Sequence, residues 1–127
     1  MLYDTDAFIW FKRGVVAVAE IMANDKSRGI SLQTYLELMQ GARNRSQLVF
    51  AKRFVEDFDF AIVPIERAVG NLAARLVEQF ALSHGMRAGD ALVAATALEN
   101  NMALCTANVK HFRQIPGLQV RSFQVNA

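Results

Sequence analysis

The chain has 127 residues, of which 53% are hydrophobic and 20% charged, a composition that suits one globular domain with its own core and excludes a disordered or low-complexity protein. Its net charge of +2 permits a nucleic-acid partner without demanding one. A single cysteine, Cys105, excludes an internal disulfide or a CxxC zinc site and suits a reducing compartment. Asp4 and Asp6 stand where a secretory leader would be basic, and no apolar run approaches a bilayer span, so a soluble, cytoplasmic protein with no membrane partner is expected.

Residues 2–4 read as a short buried strand that turns into a loop or helix through residue 11. After the polar punctuation of Lys12-Arg13-Gly14, residues 15–23 have helical periodicity, with Val15, Val18, Ala19 and Met22 on one face. Residues 29–32 form a second strand. Thr34-Tyr35-Leu36-Glu37 has the Thr-x-x-Glu form of a capping box ahead of a helix carrying Leu38, Met39 and Ala42. A further helix over 46–57 follows the break at 43–45. Residues 60–65 form a third strand, with Pro64 near its end. Val69, Leu72, Ala73, Leu76 and Phe80 then mark a helix over 66–82, closed by His84-Gly85. After a loop to Gly89-Asp90, residues 91–98 are apolar on every side and read as a buried helix. Residues 102–106 form a fourth strand, 108–112 a turn or short helix, and 118–123 a last strand at a sheet edge. Strands alternating with helices imply a parallel-rich α/β sheet with helices on both faces.

Three acids stand in apolar settings: Asp4, Glu37 and Asp90. In an open α/β sheet, sites form at the carboxyl ends of strands, and Asp4 lies at such an end. Glu37 follows the second strand, and Asp90 opens the helix that feeds the fourth. Carboxylates brought together repel unless a cation neutralises them, and hard oxygen donors suit Mg²⁺ or Mn²⁺. Such a cation binds a phosphate oxygen and activates water for in-line attack on phosphorus. Each acid also has a plainer reading. Asp4 fits an Asx-turn, Glu37 the returning arm of the capping box, and Asp90 a helix N-cap. Asp6 is expected to face solvent or to bond the loop.

Four stretches in order resemble the PIN-domain ribonucleases, and among them the VapC-type toxins of prokaryotic toxin–antitoxin pairs. They are Leu2-Tyr3-Asp4-Thr5-Asp6, Ile30 to Ala42 around Glu37 and Gly41, Gly89-Asp90 with the alanine-rich run after it, and Leu104 to Phe112 with Thr106 and Asn108. The likeness covers nearly the whole chain. It implies a single PIN-like domain over residues 1–127, with a four- or five-stranded parallel sheet flanked by helices. It implies a Mg²⁺- or Mn²⁺-dependent endoribonuclease in which Asp4, Glu37 and Asp90 carry the cation and the catalysis, leaving a 5′-phosphate and a 3′-hydroxyl. It also implies RNA as substrate, a cognate antitoxin that fills a groove and pushes a basic side chain towards the acids, a homodimer, and higher toxin–antitoxin assemblies.

His111 departs from the pattern, because many members of that family have a fourth acid there. Histidine is able to ligate a softer metal, bind the scissile phosphate or do neither. Thr106 and Asn108 are the nearest polar substitutes, able to orient water or touch phosphate, or simply to close a strand-end turn. Lys110 and Arg113 flank this motif and are candidates for phosphate contact, whereas Lys12, Arg13, Arg43, Arg45, Lys52 and Arg53 read mostly as solvated surface. Phe50, Phe54 and Phe58 recur every four residues, as a core stripe or as the wall of a groove for a partner helix. Two other functions compete: a PIN-like RNA- or protein-binding module that has lost its chemistry, and a haloacid-dehalogenase-type phosphatase opening with Asp4-x-Asp6. Phe8 and the acid-free run after Asp90 speak against the phosphatase.

Overall fold

The computed structural model describes residues 1–125. Its elements, in chain order, are β1 (Leu2–Tyr3), α1 (Thr5–Lys12), α2 (Val16–Asn24), β2 (Gly29–Ser31), α3 (Leu32–Gln40), α4 (Arg45–Asp57), β3 (Ala61–Val63), α5 (Arg67–His84), α6 (Ala88–Glu99), β4 (Leu104–Cys105), α7 (Val109–Phe112) and β5 (Val120–Arg121). The five strands form one sheet in the order β3-β2-β1-β4-β5, and every pairing is parallel. The central strand is therefore β1, and Asp4 leaves it at the carboxyl edge.

Side chains on a strand alternate between faces, and that alternation divides the core in two. Leu2 and Leu104 turn to one face, where they pack with Val69, Ala73, Leu76 and Phe80 of α5 and with the alanines of α6. Tyr3, Ile30 and Cys105 turn to the other, against Ala7, Phe8, Val18, Met22, Val55 and Phe60. The spacing of the buried α5 residues follows the helical repeat that the sequence predicts. Gly85 ends α5 in the left-handed region at φ 62°, donating its N–H to the Phe80 carbonyl, as a C-terminal glycine does.

Three local expectations fail. Ser31, not Thr34, caps α3: the Ser31 hydroxyl accepts from the Thr34 N–H at 3.0 Å. Strand β2 runs straight into the helix, so its last residue does the capping, and Glu37 has no capping-box role. Helix α6 begins at Ala88, ahead of the 91 expected, so Asp90 is in its first turn and not at its N-cap. Ala42 lies beyond the end of α3.

Candidate active site

Asp4 is both cap and cleft residue. Its backbone N–H joins the sheet through the Cys105 carbonyl at 3.0 Å. Its Oδ1 accepts from the Thr5 N–H at 2.8 Å, which starts α1, and its Oδ2 accepts from the Thr106 hydroxyl at 3.0 Å. Only 6% of its surface remains exposed. Burial pushes its carboxyl up to about 7, with Asp6 and then Asp90 adding repulsion against the stabilising hydrogen bonds.

Thr106 is fully buried at the end of β4, and its one hydroxyl proton serves two carboxylates. Asp4 Oδ2 lies at 3.0 Å and Asp6 Oδ1 at 3.1 Å, while the same oxygen accepts from the Asn108 N–H at 3.0 Å. A hydroxyl donates one hydrogen bond at a time, so the two acids share it. Asp6 Oδ2 also accepts from the Ala107 N–H at 3.0 Å. Asp6 therefore clamps the loop after β4, and its carboxyl is raised by burial.

Glu37 reaches back towards α1. Its Oε2 accepts from the Thr5 hydroxyl at 3.3 Å and its Oε1 from the Gln33 amide at 3.2 Å. Gly89 lies close against this pair: a Cβ there would stand 3.3 Å from Gln33 Nε2 and 3.5 Å from Glu37 Oε1. Asp90, half-buried one residue later, has its Oδ2 3.3 Å from His111 Nδ1. Burial raises the Asp90 carboxyl against the pull of His111 and Arg87.

These groups line one cleft of about 420 Å³: Asp4, Asp6, Glu37, Asp90, Asn108 and His111 among them. Lys110 and Arg113, exposed on and just after α7, do not line it. Arg87 does, and sequence reasoning passed it over. Starting α6 at residue 91 hid the signal; with the helix begun at Ala88, Arg87 is its N-cap, three residues before Asp90 and on the same cleft. Among the described residues no three acid, histidine or cysteine side chains stand close enough to grip a metal ion as placed. Glu37 is turned to Thr5 and Gln33, and Asp90 to His111.

A second cavity of about 450 Å³ adjoins the first and shares Thr5, Ile9 and Glu37 with it. Its walls are apolar: Phe8, Phe11, Leu38, Phe50 and Phe54. Phe54 packs among aromatic rings, 5.0 Å from Phe11 and 4.6 Å from Phe58 between centroids, while Phe50 stays 63% exposed. The four-residue stripe thus splits between core margin and groove wall.

The sequence model of the family described as PIN domain matches residues 1–118. Ribonuclease VapC19 of Mycobacterium tuberculosis is 31% identical over 123 residues, covering 93% of this chain and 96% of that protein. A toxin–antitoxin complex from Klebsiella pneumoniae contains a similar chain, with a TM-score of 0.75 and 25% identity over 98% of this chain and 97% of that one. VapBC-1 from nontypeable Haemophilus influenzae superposes with a TM-score of 0.78 at 23% identity, over 96% and 98% of the two chains, and shares the fold.

Proposed function

The chain belongs to the PIN-domain family, and from that premise we propose that it is a divalent-metal-dependent endoribonuclease, the toxin of a toxin–antitoxin pair. One observation carries this reading. Carboxylates from three separate segments, Asp4, Glu37 and Asp90, face a single cleft at the carboxyl edge of the sheet, and the most buried of them is held far above its ordinary pKa.

The donors fit Mg²⁺ or Mn²⁺ in kind, being hard oxygens with no sulfur among them. The raised Asp4 carboxyl marks a place short of positive charge, which is what a cation would supply. Asp4 and Asp90 would hold it, with Glu37 completing the set. When bound, such an ion neutralises the acids, binds a phosphate oxygen and activates water for in-line attack. The chain's own residues set the stage. The Thr5 N–H and the Thr106 hydroxyl fix the orientation of Asp4. Asp6 holds the Thr106–Asn108 loop against the cleft. His111 stands at the fourth acidic position and meets Asp90 there.

The antitoxin is assigned to the apolar groove beside the cleft. An amphipathic segment lying on Phe50 and Phe54 would end at Glu37 and Thr5, within reach of the acids. No described helix is long and apolar enough to cross a membrane. A cytoplasmic location is part of the same proposal. A homodimer is part of the same reading.

Incubating the protein with a pool of cellular RNA tests it. Discrete fragments in Mg²⁺ or Mn²⁺, absent in EDTA and absent with Asp4→Asn or Asp90→Asn, are the expected result. Uncut RNA under every metal would favour the module without chemistry, a reading for which the His111–Asp90 contact is the structural motive.

A further inference from the structure

A cleft walled by four carboxylates repels the polyanion that must enter it. A side-chain cation at the rim would offset that repulsion where the phosphate chain enters. Lys110 and Arg113 lie outside the cleft, and His111 is engaged with Asp90. Arg87 is the lysine or arginine that lines the cleft among the described residues, and no carboxylate there stands within ion-pairing distance of it.

Its backbone is well fixed. Met86 before it is buried, and its own carbonyl accepts from the Ala91 N–H at 3.0 Å in the first turn of α6. The side chain is exposed, so its planar fork of donors is free for an incoming oxyanion. Resting on the ribonuclease reading, we propose that Arg87 is the substrate-phosphate-binding residue of this cleft. It takes the non-bridging oxygens of an RNA backbone phosphate and seats the strand across Asp4 and Asp90.

A binding experiment without turnover tests this. A short fluorescent single-stranded RNA of mixed sequence is titrated in EDTA at several salt concentrations. The proteins are wild type, Arg87→Ala, Arg87→Lys and Lys110→Ala, the two alanine variants also being made on Asp90→Asn. Loss of one phosphate contact lowers the slope of log affinity against log salt by about 0.7 for a single strand. Arg87→Ala is expected to show that drop and to bind about threefold to tenfold more weakly in both backgrounds. Arg87→Lys should keep the slope and lose part of the affinity, since it keeps the charge and loses the fork. Lys110→Ala should change little.

An equal loss from Lys110→Ala would overturn the proposal, because net charge alone would then explain it. So would an Arg87 effect that vanishes on Asp90→Asn, which would mean that Arg87 only serves that carboxylate, and so would wild type that does not bind. Digestion of the RNA pool by wild type in Mg²⁺, run alongside, separates the two readings. RNA left uncut with the Arg87 slope change intact would sink the nuclease and leave the phosphate contact standing.

Discussion

The two faces of the sheet are built differently. The α5–α6 face is closed by small and aliphatic side chains: Ala91, Ala94, Ala95 and Ala97 lie buried on α6 against Leu2, Leu104 and Leu76. The opposite face is closed by aromatic rings, and it is not finished: Phe50 stays exposed where α4 lines the groove, and Phe58 stays exposed just past the end of that helix. Alanines let a helix lie close on the sheet and fix what is attached to it, here Asp90. Rings at an open margin leave apolar area for a partner to cover. The closed scaffold and the groove proposed for the antitoxin are thus on opposite sides of β1, and the acids lie along the edge between them.

The largest stability effect belongs to the closed face. Leu104→Ala, at a fully buried position, should cost about 2–5 kcal/mol in chemical denaturation. A loss below about 1 kcal/mol would mean that this face is looser than its burial implies.

The acidic edge should respond to pH. The folded Asp4 carboxyl is raised from 3.8 to about 7, so the folded protein binds the extra proton. Stability from that group is complete below pH 3.8 and is lost as pH rises through about 7. Asp6 and Asp90, also raised, act in the same direction. In metal-free buffer, Asp4→Asn should therefore melt higher than wild type at pH 8, by on the order of 2 kcal/mol, with the gap closing towards pH 4. A gap that widens on acidification would contradict the burial of this carboxylate.

Smaller effects separate the cap from the acid. Ser31→Ala should cost about 1 kcal/mol by removing the α3 cap, whereas Glu37→Gln should leave stability within about 0.5 kcal/mol and lose RNA cleavage. The reverse pattern in thermal melts would return Glu37 to a structural role. Smallest of all, Phe50→Ser should leave stability within about 0.5 kcal/mol, since its ring is mostly in water, yet weaken capture of the co-expressed antitoxin. Unchanged capture would move the docking surface elsewhere.

Much of this was legible in the sequence. Short apolar stretches mark the strands, helical repeats mark helices such as α2 and α5, and an acid after the first strand marks the cleft. What stayed hidden were contacts between distant segments. Ser31 looked like one more strand residue, because nothing local says that β2 enters α3 without a loop. Asp6 read as a surface or loop acid, because its partners Thr106 and Ala107 are a hundred residues away in sequence. Arg87 was lost through a three-residue error in one helix start. The metal-ligand question is of the same kind: residue types and order suggest a cation site, but only side-chain placement shows Glu37 and Asp90 turned to other partners.

The most direct measurement is Mn²⁺ binding by titration calorimetry at pH 8, on wild type, Asp4→Asn and Asp90→Asn, with no RNA present. Saturable binding by wild type that is lost or weakened about tenfold or more in both variants is the predicted result. Equal binding by all three proteins, or none by wild type, would contradict the claim that these acids converge to hold a cation.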